Sequence, residues 1–305
     1  MKRVVSVSIG SSKRDKKAVV ELCGEQFSIE RIGTDGDIDK AIALIRELDG
    51  QVAAFGMGGI DLYLACGNRR YILREAKKIA RAAQKTPMVD GSGLKNTLER
   101  RTIEYLAQTD PSFFSGKNVM LTCAVDRFGM AEALEKTGAT VLYGDVMFVL
   151  GLPVPIYSLK GLDLVARTLA PLVVQLPFKM LYPIGKKQEE QPQQNRFSKY
   201  YQWADVIAGD FHFIRRYMPE RLDGKTIITN TVTQDDLRFL RERGVARLVT
   251  TTPNINGRSF GTNVMEALLV ALLDKPLSAI TPQDYLMMLD KVGFKPRIED
   301  LRKQD

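Results

Sequence analysis

The segment KNVMLTCAVDRFGMAEALEKTGATVLYGD, Lys117–Asp145, reads as strand, tight loop, short helix and strand. Asn118–Cys123 has the unbroken apolar bias of a parallel strand buried on both faces. Ala124–Gly129 is a polar loop around one glycine, and Met130–Lys136 carries Ala131, Ala133 and Leu134 in a helical pattern. Gly138 suits a helix end, because glycine enters the left-handed conformation without a Cβ penalty. Ala139–Tyr143 then returns as a second strand that ends at Asp145. That order is the first βαβ unit of a doubly wound sheet, with the positive end of its helix facing whatever binds at the strand tips. An acidic residue closing the second strand is where dinucleotide folds hold a ribose, and Asp145 takes that place. The loop Ala124-Val125-Asp126-Arg127-Phe128-Gly129 is not the G-x-G-x-x-G fingerprint. Arg127 either meets phosphate directly or is solvated, and the unit either binds a cofactor or is a plain crossover.

Around this unit the chain has room for two α/β lobes: it has 305 residues, 45% of them hydrophobic and 26% charged. No apolar run approaches the roughly 20 residues of a membrane span. The amino terminus, MKRVVSVSIGSSKRDKK, passes from two charges straight into a strand, unlike a signal peptide. Three cysteines without C-x-x-C spacing fit a reducing compartment. A cytoplasmic protein is expected. A single histidine, His212, leaves no zinc cluster. The net charge of +8 is dispersed over short pairs such as Lys13-Arg14 and Arg215-Arg216. It favours small phosphorylated or carboxylated partners over nucleic acid.

Residues 1–115 read as the first lobe. Val4–Ile9 is a strand followed by Gly10-Ser11-Ser12-Lys13-Arg14, a solvated turn or an anion loop. Ala18–Leu22 and Phe27–Ile32 form a hairpin, and a helix after Asp37 buries Ile38, Ala41, Ile45 and Leu48. Thr86–Val89 delivers Asp90-Gly91-Ser92-Gly93-Leu94-Lys95-Asn96-Thr97 into a helix over Leu94–Leu106. A cation in a helical first turn works against the dipole, and an anionic ligand would remove that cost. Lys95 is thus a candidate for substrate binding or proton transfer, with Ser92, Asn96 and Thr97 beside it.

Residues 116–275 read as a Rossmann-like lobe with a parallel sheet, interrupted by an apolar stretch over 146–200. Gly161–Tyr182 is expected to be helical, broken by Pro171 and Pro177. It is read as a lid or homodimer arm, with an interfacial segment touching lipid as the competing reading. Strand tips then present Asp210 and His212, Thr229 and Asn230, and the loop Asn254–Asn263. In an open α/β sheet ligands sit at such tips. Asp210 and His212, two apart in an extended exit loop, would share a face, so the carboxylate could orient the ring. Arg258, flanked by Ser259 and leading to Asn263, resembles an anion grip before a helix. Val264–Leu273, apolar except for Glu266, should be buried between layers. Residues 276–305 are expected as a helical tail that starts at Thr281-Pro282 and packs back.

Five stretches carry a resemblance: VVSVSIGSSKRD from Val4, VDGSGLKNTLERRTIEYL from Val89, AVDRFGMAEAL from Ala124, ADVIAGDFHFIRRYMPERL from Ala204 and TTTPNINGRSFGTNVMEALL from Thr250. Together they resemble clostridial-type bacterial proteins labelled quinate 5-dehydrogenase, or quinate/shikimate-dehydrogenase-like. The resemblance covers nearly the whole chain. It implies NAD- or NADP-linked oxidation of a ring hydroxyl on a carboxylated cyclitol. The expected constellation places cofactor over Asp126, Arg127, Gly129, Asp145, Thr229 and Asn230. Lys95, His212 and Asp210 would do the chemistry, and Ser92, Asn96, Thr97, Arg258, Ser259 and Asn263 would hold substrate; no metal is expected. Two other readings stand beside it. One is a Rossmann-like protein or transferase that binds a nucleotide or phosphorylated ligand without hydride transfer. The other is an interaction or membrane-peripheral protein that uses 161–182.

Overall fold

The first strand, β1 (Lys2–Ser8), is buried along Val4–Ser8, as a strand flanked on both edges and both faces must be. It runs parallel to β3 (Glu25–Gly33) on one side and β4 (Ala54–Gly58) on the other. β2 (Lys16–Leu22) adds an antiparallel edge beside β3, and β7 (Met88–Val89) closes the opposite edge in parallel with β4. A separate small hairpin, β5 (Tyr63–Cys66) and β6 (Arg69–Ile72), follows β4. The computed structural model describes residues 1–66, 69–176, 196–252, 254–255 and 258–302, with backbone alone at 64–66, 69–70, 254–255 and 258–259.

The second sheet is built from β8 (Asn118–Leu121), β9 (Thr140–Tyr143), β10 (Val206–Ala208), β11 (Thr226–Thr229) and β12 (Arg247–Thr250), all parallel. In space they run β9-β8-β10-β11-β12. Both sheets therefore reverse direction of growth beside their first strand, between β1 and β4 and between β8 and β10. Those reversals open a crevice at the carboxyl ends, where doubly wound sheets bind ligands. The unit Lys117–Asp145 is the parallel βαβ expected of it, with helix α4 (Phe128–Glu135) as crossover.

Helices cover both faces of each sheet. On the first, α1 (Ile38–Leu48) and α2 (Arg74–Ala80) pack against Val5, Val7, Phe55 and Met57. Side-chain alternation splits the second sheet likewise: Met120 and Ile207 face one core, Val119 and Leu121 the other. α3 (Ser92–Thr109) joins the lobes. Its Leu94 and Leu98 lie in the first core and its Ile103 and Leu106 in the second. Leu94, Leu98 and Ile103 are fully buried, each contributing about 1.5–3 kcal/mol relative to an exposed position.

Three expectations change. The apolar helix α10 (Thr262–Leu273) is buried as foreseen, but it packs on β1, β4 and α3 of the first lobe rather than inside the second. The tail is not purely helical: α11 (Pro282–Lys291) packs on α3, and Arg297–Asp300 then pairs antiparallel with β12 at the edge of the second sheet. Its charged pattern hid that strand, because an edge strand buries little. Pro171 does not break its helix; α6 (Leu159–Val173) runs through it, losing one amide donor near its end. Within the segment read as a lid or homodimer arm, α6 buries Leu162 in the second lobe's core, Val173 and Val174 reach the first lobe's, and Leu164 and Leu172 stay exposed. Residues 177–195, the rest of the expected lid, lie outside the described residues. Among the described residues no helix is long and apolar enough to cross a membrane.

Candidate functional site

The two crevices face each other across one cleft of about 520 Å³, within the range of small-ligand sites. The first lobe contributes Ser8, Gly10 and Arg14 after β1 and Gly58–Asp61 after β4; the second contributes Asp126, Arg127, Asp210, His212 and Asn230. Asn263, at the start of α10, lines the cleft and donates from Nδ2 to Ser6 Oγ at 2.8 Å. Gly58 is needed here, since a Cβ would stand 2.9 Å from the Ser8 side chain.

Lys95 is the floor of this cleft. α3 begins at Ser92 after Gly91, whose φ of 97° brings it against α10. Lys95, one turn in, donates from Nζ to Asp61 Oδ1 at 3.0 Å and to Asp126 Oδ1 and Oδ2 at 2.9 and 3.0 Å. One carboxylate comes from each lobe. Burial opposes the lysine's charge, but Asp126 and Asp61 together raise its pKa above the ordinary value. The two carboxylates thus favour its charged form. Burial and then Asp126 push the Asp61 carboxyl up to about 7, against Lys95. One turn further, Glu99 is fully buried and pairs with Arg127, which also reaches Asp210 Oδ2 at 3.3 Å. Burial raises Glu99, with Arg127 working the other way.

Asp210 is an N-cap rather than a partner for the imidazole. The chain turns helical at once, as α8 (Phe211–Arg216), and Asp210 Oδ1 accepts the His212 amide at 2.8 Å. Its Oδ2 accepts from Asn230 Nδ2 at 2.9 Å. Burial acts to raise Asp210, yet His212, Arg127 and that amide hold it below the usual carboxylate range. The His212 ring meets Arg14 instead, Nη1 to Nε2 3.4 Å. Burial, with Arg14 and against Asp210, holds the imidazole below its ordinary value.

Of the residues proposed from sequence, Lys95, Asp126, Arg127, Asp210, His212, Asn230 and Asn263 thus share one cleft. Others lie elsewhere. Thr229 is fully buried beneath Asn230, donating to its Oδ1 at 3.1 Å. Ser92 donates to Asp90 Oδ1 at 2.6 Å, Thr97 is buried, and Asn96 turns toward α4; none of the three lines the cleft. The side chains of Arg258 and Ser259 lie outside the described residues. Asp61, Arg14, Arg31 and Arg216 enter the site without having been chosen as site residues. Only Arg14, in its serine-rich loop, had carried a sequence signal.

The dinucleotide seat fails on its own residues. Asp145 does not end a strand: β9 stops at Tyr143, and Asp145 opens α5 (Asp145–Leu150). Its carboxylate accepts the Ala124 and Val125 amides at 3.0 and 2.9 Å, the donors a pyrophosphate would need. Burial pushes it up to about 6, opposed by those two amides. Gly129 gives no bare backbone to a cofactor, because a Cβ there would strike the Asn96 backbone and side-chain oxygens. Arg127 is 1% exposed and committed to Glu99 and Asp210. These residues do not fit a dinucleotide laid over Ala124–Gly129. Among the described residues no group of three or more His, Cys, Asp or Glu side chains is placed to hold a metal.

Fold and site together define a two-lobed α/β protein, its second lobe Rossmann-like, with a polar cleft between facing strand tips. The chain belongs to the family described as a domain of unknown function, DUF8754, matched over residues 93–301; residues 3–90 match a second such domain, DUF8753. No curated protein matches it. Among solved structures it is similar to an arabinose-binding protein from Geobacillus stearothermophilus, at 11% identity and TM-score 0.44, covering 99% of this chain and 97% of that one. It is also similar to the L-tryptophan dehydrogenase of Nostoc punctiforme, at 10% identity and TM-score 0.38, covering 95% and 79%. The hetero-hexameric glutamate dehydrogenase of Thermus thermophilus gives 14% identity and TM-score 0.39, covering 96% and 73%. Likenesses this distant carry nothing about ligand or reaction.

Proposed function

We propose that this protein binds a small, hydroxylated, negatively charged molecule between its lobes. One observation carries the reading. The cleft combines cationic side chains from both lobes with a floor of carboxylates and amides fixed by Lys95, Arg127 and Asn230. Cations recognise the charge, while oxygens anchored on one side keep lone pairs for ligand hydroxyls. The test is thermal shift and calorimetry with sugar phosphates, polyhydroxy carboxylates such as quinate and shikimate, and unphosphorylated sugars. Saturable binding of an anionic member, weakened by Asp61→Ala, is expected. No binding by any member at millimolar concentration ends the proposal.

The oxidoreductase reading keeps one support, Lys95 and His212 facing a common cleft. Titration of NADH fluorescence separates the two readings. Saturation would favour hydride transfer with the cofactor elsewhere than Ala124–Gly129; a flat response is expected.

A further inference from the structure

The mouth of the cleft carries exposed cations from both lobes. Arg14 stands in a loop fixed from several sides. Asp35 Oδ1 accepts the Ser12 amide at 2.8 Å, Arg31 donates to the Ser11 carbonyl at 3.0 Å, and Asp15 Oδ1 accepts from Arg31 and the Gly33 amide, both at 2.7 Å. From the other lobe His212 and Arg216, four residues apart on one face of α8, look into the same space. Asp210 caps that helix, and Phe213 and Ile214 anchor it in the core. Among the described residues neither Arg14 nor Arg216 has a carboxylate partner; Arg14 meets only the His212 ring, and Arg216 lies over Tyr217. Two guanidiniums from opposite lobes that open on the same space repel one another, and an anion between them removes that cost.

Resting on the binding proposal above, we infer that this mouth is a phosphate subsite formed jointly by the two lobes, and that the ligand is the phosphate monoester of a small polyhydroxy compound. Two guanidinium forks and a ring nitrogen offer more donors than a carboxylate's two oxygens accept in one plane. A phosphoryl group spreads three oxygens and up to two charges across that gap. The hydroxylated part then reaches inward to Asp61, whose one fixed oxygen is held by Lys95. Because Arg14 belongs to one lobe and Arg216 to the other, the phosphate also ties the lobes together.

Calorimetry on the full chain with inorganic phosphate, glucose 6-phosphate, ribose 5-phosphate, glucose and quinate tests the inference. Both sugar phosphates are expected to bind and phosphate alone to compete weakly. Arg14→Ala and Arg216→Ala should each weaken sugar-phosphate binding about tenfold or more, while Arg46→Ala, on the exposed side of α1, changes nothing. Both mutated arginines are exposed and their folded state is checked by circular dichroism. Binding of quinate but of neither sugar phosphate overturns the phosphate subsite and leaves the cleft reading standing. Sugar-phosphate binding indifferent to both substitutions overturns the location. Failure of every compound removes both proposals.

Discussion

Asp61 is held by a single oxygen, and its other oxygen is left to the cleft. Its raised pKa makes it a proton-binding group of the folded state. Between its ordinary 3.8 and about 7 the folded protein binds a proton there that the unfolded chain has released. Stability therefore falls as pH rises through that window, and the cost is fully present above it. Asp145 and Glu266, pushed by burial up to about 6 and about 7, act in the same direction. His212, held low, acts oppositely as pH rises through its ordinary 6.5. Asp61→Asn keeps an acceptor for Lys95 but cannot ionise. Urea midpoints measured from pH 5 to 8 should decline less for this variant than for the parent, and parallel declines would refute the assignment. The sequence drew attention to Lys95 through its first-turn charge. It gave no sign of Asp61, because that partner lies 34 residues upstream and only the sheet brings it near. Arg127 was legible as a loop cation but not as a buried one, since Glu99 reaches it from another helix.

At the level of elements, α3 controls how the lobes meet. Gly91 and Gly93 let its first turn lie against α10 and α11: a Cβ on Gly93 would collide with Glu266 Oε1 and stand 3.1 Å from the Tyr285 hydroxyl. Tyr285 donates to Glu266 at 2.6 Å in that packed layer. Gly93→Ala gains helix propensity but overpacks the junction. A net loss of roughly 1–3 kcal/mol is expected, read as a lower urea midpoint with an unchanged slope; a stabilised variant would show the junction to be loose. Periodicity made most strands and helices readable, and Thr281-Pro282 marked a helix start; the structure adds capping boxes at Thr233 and Thr281, completed by Asp236 and Asp284. What it missed were boundaries governed by capping. Gly144 ends β9 two residues early, so Asp145 became a helix start, and Asp210 closes its turn on His212 before the chain can stay extended.

Over the whole molecule, chain order and spatial order part company. The first sheet is complete by β7, yet the face formed by Val4, Phe27, Ile29 and Ala54 is covered by α10, from beyond the second sheet's parallel strands, with α3 and α11 packed into the same core. A linear division at residue 115 therefore captures the strands but not the core. A fragment 1–115 should expose that apolar face and also leave half of α3 unpacked. Its far-ultraviolet dichroism is expected to show little cooperative melting; a sharp, reversible transition would mean that the first lobe is self-sufficient. Local pattern announces strands well and layers poorly, because an all-apolar helix such as α10 states that it is covered without stating by what.

The interleaving has a consequence for biosynthesis. While the nascent chain is still emerging, residues 1–90 wait for the segment that roofs them, which the ribosome delivers only after the whole second sheet except its antiparallel edge. That edge, Arg297–Asp300, follows later still in the chain. A chain cut before Thr262 would therefore present two unfinished lobes rather than one sound lobe and one missing.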